Sequence, residues 1–396
     1  MIREAAQVVD DLLARYPEDS HSQDVLAWFY YRFGRADDAF DCWEQCLELD
    51  PAFVDAYTWM GTIAREKGDH EKAIECFTEG LEWQPDSERL AVELARSLMD
   101  VGRTDDAVVL LEKHVAIQPR SMPILVLLGD AYSQLEEHEK AKASLEKAIS
   151  ISPDFVGAYY SLARACTAVG DEEKAAEYSE RFKVLKAEEE ESHRTGVRTA
   201  DYEATVRYQV AGLFTAAAKA YLFHGDPQTA ETSLLRAIEV CPTHLGSIET
   251  IVWLYERQHR AEDALQQLLA AKEANPNELS VAMMLGRLYV GLGQLEAAGQ
   301  SFRDAIDISP READGYVALA GLSLDTNHEL PEARKLAAKA VELEPVARNF
   351  YLLSMAHMKV NELADARAAL EHALALEPGN TMYRQIYDKL GQRQAE

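Results

Sequence analysis

The residues of this chain best suited to bind another molecule are aromatic and basic side chains that recur at a fixed spacing. Arg96 and Arg164 are separated by two steps of 34 residues, and Lys219, Trp253 and Arg287 by one step each. Guanidinium and ammonium groups bind carboxylates, and aromatic rings pack against apolar side chains. The pattern therefore predicts a surface that binds an acidic, partly apolar segment of a protein. The candidate residues are Trp28, Trp59, Arg96, Tyr160, Arg164, Lys219, Trp253 and Arg287.

No combination of residues is typical of an active site. The sequence lacks the phosphate-binding Gly-x-x-x-x-Gly-Lys loop, the His-Glu-x-x-His zinc pair, the Gly-x-Ser-x-Gly elbow and the calcium-binding loop. Its 11 histidines have no metal-ligand spacing, and His114 and His357 fall at core positions of a repeat. We therefore expect no enzyme activity, no cofactor and no metal site.

The five cysteines allow two interpretations. Cys42 and Cys46 are four residues apart on one helix face and could contribute to a metal site. Cys46, however, occupies an apolar position of the repeat, and no Cys-x-x-Cys pair occurs. Buried structural thiols are the favoured interpretation, and no disulfide framework is expected.

Prolines divide the chain into units of about 34 residues. They occur at 17, 51, 85, 119 and 153, then at 242, 276 and 310, and finally at 345 and 378. When each proline is counted as position 32 of its unit, position 20 is alanine in ten units, and positions 7 and 24 are bulky and apolar in most. Such a period predicts stacked helix–turn–helix repeats.

Residues that end helices recur with the same period. Position 15 is glycine in six units and Asn361 in another, and these residues tolerate the left-handed conformation that closes a helix. Acidic or hydroxyl residues such as Asp69 and Asp171 follow and can cap the next helix. Each proline disfavours helical geometry in the residue before it. The sequence therefore predicts pairs of helices of similar length.

This pattern resembles the tetratricopeptide repeat family across nearly the whole chain. The resemblance implies an all-α, right-handed superhelical solenoid of antiparallel helix pairs with a concave groove lined mainly by the first helix of each pair. Most of the candidate residues occupy positions 5 and 9, which line that groove in the family, and this implies a non-catalytic scaffold for a protein or peptide partner. The family's clamp for the acidic tails of heat-shock chaperones requires asparagines that are missing here, so that mode is not expected.

The period also predicts the domain organisation. Residues 1–19 match only the second helix of a unit, an orphan whose apolar face has no partner, and residues 188–210 exceed the period and begin with an acidic run. We interpret the excess as about three extra turns on each of two adjacent helices, which form a projecting hairpin with a loop near 193–199. An interaction tail or a hinge is the alternative. The predicted segments are the orphan helix 1–19, five units over 20–187, the insertion 188–210, five units over 211–380 and a capping helix over 381–396.

Acidic residues outnumber basic ones, 68 against 40, which gives a formal net charge of −28 at pH 7. Such a surface repels duplex DNA and anionic membranes, so no nucleic-acid partner is expected. The charge either keeps the helical surface soluble or attracts a basic partner. Each candidate cation could also pair with an acidic neighbour of its own chain.

The compartment and the parent protein remain open. No apolar run matches a secretion signal or a membrane span, so no membrane insertion is expected. The chain is cytoplasmic if Met1 is the native start, and periplasmic or exported if upstream sequence was removed, as the unpaired helix indicates. The alternative function is an accessory or targeting module of a larger multidomain enzyme or export complex, with the chemistry elsewhere.

Overall fold

The computed structural model describes residues 1–196 and 202–395, and the regular structure in these two stretches is entirely α-helical. The prediction of an all-α array of helix pairs is confirmed. The chain divides into two compact units, one from Met1 to Ser233 and one that begins at Leu234. The division falls within a helix.

Short turns join the helices within each of the two described stretches. The first unit contains α1 (Ile2–Arg15), α2 (Ser20–Arg32), α3 (Ala36–Leu49), α4 (Val54–Glu66), α5 (His70–Trp83), α6 (Glu88–Asp100), α7 (Thr104–Ile117), α8 (Met122–Gln134), α9 (His138–Ile151), α10 (Val156–Val169), α11 (Glu172–Gly196) and α12 (Tyr202–Phe223). α13 (Pro227–Val240) contains the division. The second unit continues with α14 (Leu245–Arg257), α15 (Ala261–Ala274), α16 (Leu279–Gly291), α17 (Leu295–Ile308), α18 (Ala313–Thr326), α19 (Leu330–Leu343), α20 (Ala347–Lys359), α21 (Leu363–Leu376) and α22 (Thr381–Ala395).

Consecutive helices pack as antiparallel pairs because a short turn joins them and each has an apolar face. In the first unit α2 packs on α3, α4 on α5, α6 on α7, α8 on α9 and α10 on α11. The alanines at position 20 are buried in every unit, and bulky position-24 residues such as Trp43 and Phe77 are fully enclosed. The fit is close: a Cβ added at Gly129 would lie 2.5 Å from Cγ of Leu145.

The turn within each pair requires one residue in the left-handed conformation. Position 15 has a positive φ in all ten units, and glycine provides it in six of them with φ between 72° and 81°. Glu136, His259, Asn327 and Asn361 adopt the same conformation with φ between 52° and 63°. The packing of the two helices therefore imposes this geometry even where the residue has a side chain that disfavours it.

The N-terminal helix has a packing partner that the sequence did not predict. α1 packs against α12 and α2, and α12 also packs against α2. Ala5, Val9 and Leu12, which form the apolar face of α1, are at most 2% exposed. The prediction that this face is uncovered is therefore wrong, because α12 and α2 pack against α1.

Contacts between the α1–α2 turn and the end of α12 hold this arrangement. The rings of Tyr16 and His224 stack with their centroids 3.8 Å apart. Nε2 of His224 lies 3.1 Å from Oδ2 of Asp19, and Nη1 of Arg15 lies 3.4 Å from Oδ2 of Asp226. Aromatic stacking and ion pairing thus connect segments that are far apart in the sequence.

The two helices at the predicted insertion are longer than the others, with 25 residues in α11 and 22 in α12. His193 to Gly196 belong to α11, whereas the rest of the predicted loop lies outside the described residues. The projecting hairpin therefore remains a prediction, and so do the boundaries of the predicted segments.

Candidate protein-binding face

The first helices of successive pairs form one layer in the first unit. α4 contacts α6, α6 contacts α8, and α8 contacts α10, although a second helix separates each of these along the chain. Polar contacts also join the layer, since Nη2 of Arg65 lies 2.8 Å from Oε2 of Glu93 and the Ser161 hydroxyl donates to Oδ1 of Asp130 at 2.6 Å. We name the side of α2, α4, α6, α8 and α10 that faces away from the second helices the first-helix face.

Two arginines on this face act on one carboxylate. Arg96, Asp130 and Arg164 occupy position 9 of α6, α8 and α10. Burial raises the pKa of Asp130, while the hydrogen bond from Ser161 and the charges of both arginines oppose that rise. The arginines are exposed, and neither makes an ion pair at contact distance with a residue that the structure describes. One half-buried aspartate therefore compensates two guanidinium groups only in part.

Trp28 and Trp59 form the aromatic part of the face on α2 and α4. Their ring centroids lie 4.4 Å apart, and the fully buried ring of Trp43 lies 5.9 Å and 6.2 Å from them. Cζ of Arg32 lies 4.9 Å from the centroid of Trp28, and Cζ of Arg89 lies 4.4 Å from that of Trp59. Both tryptophans are half-buried, and each already has a guanidinium group over its ring.

A carboxylate is enclosed beside this aromatic cluster. Nε1 of Trp43 donates a hydrogen bond to Oδ1 of Asp24 at 2.8 Å. Burial raises the pKa of Asp24 from 3.8 to about 7, the hydrogen bond from Trp43 opposes the rise, and the charge of Asp55 adds to it. The ionised form of Asp24 is therefore disfavoured in the folded protein.

Tyr160 and Lys219 complete the candidates in the first unit. Tyr160 is 51% exposed, its ring centroid lies 5.5 Å from that of Phe182, and Cζ of Arg164 lies 5.7 Å from it. The sequence order predicts that Lys219 follows Arg164 along the row of cations. Its side chain is exposed, but its helix, α12, packs against α2, which carries Trp28 at the other end of the row.

The second unit contains the remaining two candidates, Trp253 on α14 and Arg287 on α16. Both side chains are exposed, with 46% of Trp253 accessible. Cζ of Arg257 lies 5.0 Å from the ring centroid of Trp253. This pair occupies positions 9 and 13 of its unit, the same positions that Trp28 and Arg32 occupy in α2.

Sequence reasoning missed four residues of these faces: Arg32, Arg89, Asp130 and Arg257. Arg32 and Arg257 each follow a tryptophan by four residues, which places them one helical turn away on the same side. That spacing could have identified them. Arg89 reaches Trp59 from the next first helix, so no local pattern indicates the contact.

The other candidates for chemistry do not form a site. All five cysteines are buried, as predicted, and burial raises the pKa of Cys42 to about 11. Among the described residues, His357, Glu362 and Asp365 place ligand atoms close enough to hold a metal ion. Arg334 already pairs with Glu362 and lowers the pKa of that carboxyl. In the described part of the chain, no helix combines the length and the apolar character needed to cross a membrane.

Curated relatives match part of the chain. The chain is 30% identical over 87 residues to the Hsp70-Hsp90 organizing protein of Triticum aestivum, which covers 22% of this chain and 15% of that protein. It is 23% identical over 183 residues to protein O-mannosyl-transferase TMTC3 of Homo sapiens, which covers 42% of this chain and 20% of that protein. The chain thus spans about a fifth or less of the length of these relatives.

Solved structures also align with this chain. Yeast Tom70 superimposes with a TM-score of 0.40 at 15% identity and covers 97% of each chain. MamA from Desulfovibrio magneticus RS-1 gives a TM-score of 0.40 at 21% identity, which covers 43% of this chain and 96% of the other.

Family models described as tetratricopeptide repeat match several stretches of the sequence. The matched residues are 42–75, 64–125, 123–155, 250–313 and 347–380. These stretches together cover more than half of the chain, and within them lie helix pairs with the buried alanines and left-handed turns described above. The chain belongs to the tetratricopeptide repeat family.

Proposed function

We propose that this protein is a non-catalytic scaffold that binds an extended, acidic and partly apolar segment of a partner protein along the first-helix face. The observation that carries the proposal is the pair of exposed arginines, Arg96 and Arg164, whose charges both act on Asp130 and which make no ion pair at contact distance with a described residue. In a chain of net charge −28, cations concentrated on one face are the groups best placed to select an acidic ligand.

The free energies of single contacts favour binding to a row of arginines that the bound segment partly shields from water, rather than isolated contacts on the surface. A charge-assisted hydrogen bond in such a row contributes about 1.5–3 kcal/mol. An exposed ion pair contributes only about 0–1 kcal/mol and selects little. Two or three engaged arginines are therefore sufficient to decide which segment binds, while Tyr160 supplies apolar contact next to Arg164.

The relatives support a role in protein interaction. One is named for organising Hsp70 and Hsp90, and it is 30% identical to this chain over 87 residues. A second candidate function, an accessory module of a larger enzyme, is supported by the match to a segment of a protein O-mannosyl-transferase. In that case, the chain binds a partner for chemistry carried out elsewhere.

The experiment begins with an affinity pull-down and peptide mapping of the captured partner. Replacing Arg96 and Arg164 together by alanine is expected to weaken binding of the mapped segment by about tenfold or more. Arg103→Ala is the matched control, because Nε of Arg103 already lies 2.8 Å from Oδ2 of Asp106. Circular dichroism should be unchanged in both variants. Unaltered affinity in the double variant would contradict the proposal.

A further inference from the structure

Two kinds of arginine–aromatic contact occur in this protein. In the first kind the guanidinium group is already paired. Arg35 lies over Tyr30, with Cζ 4.2 Å from the ring centroid, and its Nε lies 2.7 Å from Oδ2 of Asp38. Arg260 repeats this arrangement over Tyr255, with its Nε 2.6 Å from Oδ2 of Asp263. In both cases an arginine in the turn before a second helix contacts a tyrosine on the first helix and a carboxylate on the second helix of the same pair. These contacts have a structural role.

The second kind lies on the first-helix face and has no carboxylate of its own. Arg32 lies over Trp28 and Arg89 over Trp59, and both arginines are exposed. Within residues 1–196 and 202–395, neither makes an ion pair at contact distance. The two indoles contact each other edge to face, with an angle of 70° between their planes, so the four side chains form one continuous row of contacts across α2, α4 and α6, which we name the Arg–Trp stack.

Three carboxylates near the Arg–Trp stack are engaged by other groups. Oδ1 of Asp24 accepts a hydrogen bond from Trp43, and Oε1 of Glu66 accepts one from the Tyr31 hydroxyl at 3.2 Å. Glu93 pairs with Arg65. These acidic groups are used within the protein, whereas neither guanidinium group of the stack pairs with a carboxylate among the residues that the structure describes.

Stacking on an indole makes an arginine a better carboxylate receptor. The ring supports the flat face of the guanidinium group and leaves its N–H edges available for a bidentate contact. A side chain that is already held in place also loses less conformational freedom when it binds. The Arg–Trp stack is therefore organised for carboxylates before a ligand arrives.

We propose that the Arg–Trp stack is a subsite for a pair of acidic side chains that flank an apolar residue in the partner segment. The inference rests on the proposed function and specifies the sequence that the face recognises. The contact distances place the two guanidinium carbons at most about 14 Å apart, and an extended chain advances about 3.3–3.6 Å per residue. Two acidic residues up to about four positions apart can therefore reach both guanidinium groups, with the apolar side chain between them packed against Trp28 and Trp59.

The test uses a short fluorescein-labelled peptide with two glutamates separated by two residues, one of them leucine, and a matched peptide with glutamine in place of each glutamate. Fluorescence anisotropy should show that the full chain binds the glutamate peptide and not the glutamine peptide. Arg32→Ala with Arg89→Ala is expected to weaken binding by about tenfold. Arg32→Lys with Arg89→Lys is expected to weaken it comparably, because lysine keeps the charge but lacks the planar fork.

Arg35→Ala is the matched control, since it removes an arginine that is stacked on an aromatic ring but already paired. It should leave the affinity unchanged. Equal weakening by Arg35→Ala, or full affinity in the lysine variant, would show that only net charge matters and would overturn the inference. Full affinity in the Arg32 and Arg89 alanine variant, with loss in the Arg96 and Arg164 alanine variant, would overturn the Arg–Trp stack alone. Absence of binding by any acidic peptide would contradict both proposals.

Discussion

Replacing Asp24 by asparagine should stabilise the protein at neutral and alkaline pH. Asparagine has nearly the same shape, and its Oδ1 can still accept the hydrogen bond from Nε1 of Trp43. The substitution removes the carboxylate charge, which burial disfavours. Because the pKa of Asp24 rises from 3.8 to about 7, and each pKa unit corresponds to about 1.4 kcal/mol, the full penalty is about 4 kcal/mol.

The sign of the pH dependence follows from the raised pKa. Folded protein binds a proton at Asp24 more tightly than the unfolded chain does, so the free energy of unfolding falls as pH rises from about 4 to about 7 and then levels off. The asparagine variant lacks this loss. Its expected advantage is about 1 kcal/mol at pH 4.5 and up to about 4 kcal/mol at pH 8.

Urea unfolding monitored by tryptophan fluorescence measures this effect in the part of the protein that contains Asp24. Three of the five tryptophans, Trp28, Trp43 and Trp59, lie in the cluster beside Asp24. Asp41→Asn on α3 is the control, because Asp41 is exposed. An equal gain at both pH values, or a loss at pH 8, would refute the assignment of an enclosed carboxyl group whose ionised form burial disfavours.

Three further predictions concern the array. Gly129→Val should destabilise the protein by about 1–3 kcal/mol, since even a Cβ would lie 2.5 Å from Cγ of Leu145. Hydrogen exchange should then increase in α8 and α9 before it increases in α20 and α21. Uniform loss of protection along the chain would contradict this prediction. Glu136→Gly should stabilise by about 1 kcal/mol in thermal unfolding because φ is 62° there, whereas Glu137→Gly, at φ −83°, should not. Burial lowers the pKa of His114, so stability should fall as pH drops below 6.5, and His114→Leu should flatten that pH profile in urea titrations.

The sequence was sufficient to predict the helix pairs because their contacts are local and periodic. Position 20 alanines and position 24 residues such as Trp43 face each other across a single turn, so the same spacing recurs in every unit. The left-handed residues Glu136 and His259 were missed because their residue types disfavour the conformation that the packing imposes. At these positions the residue type disfavours a positive φ, and the packing of the two helices imposes it.

Contacts between distant segments were beyond the reach of the pattern. α12 covers α1 through residues such as Arg15 and Asp226, which are 211 positions apart and share no periodic relation. Exposure of the candidate cations followed from their position in the repeat, whereas the contact of Arg89 with Trp59 depends on how two first helices pack.

The most direct measurement of the central claim is the affinity of the acidic partner segment for the Asp130→Asn variant. Asp130 is the internal competitor for Arg96 and Arg164, and asparagine keeps the hydrogen bond from Ser161 while removing the charge. If these arginines bind the partner's carboxylates, the variant should bind the segment about fivefold more tightly at physiological salt, and Asp105→Asn on α7 should not. Unchanged or weaker binding by Asp130→Asn would show that Arg96 and Arg164 do not bind the partner's carboxylates.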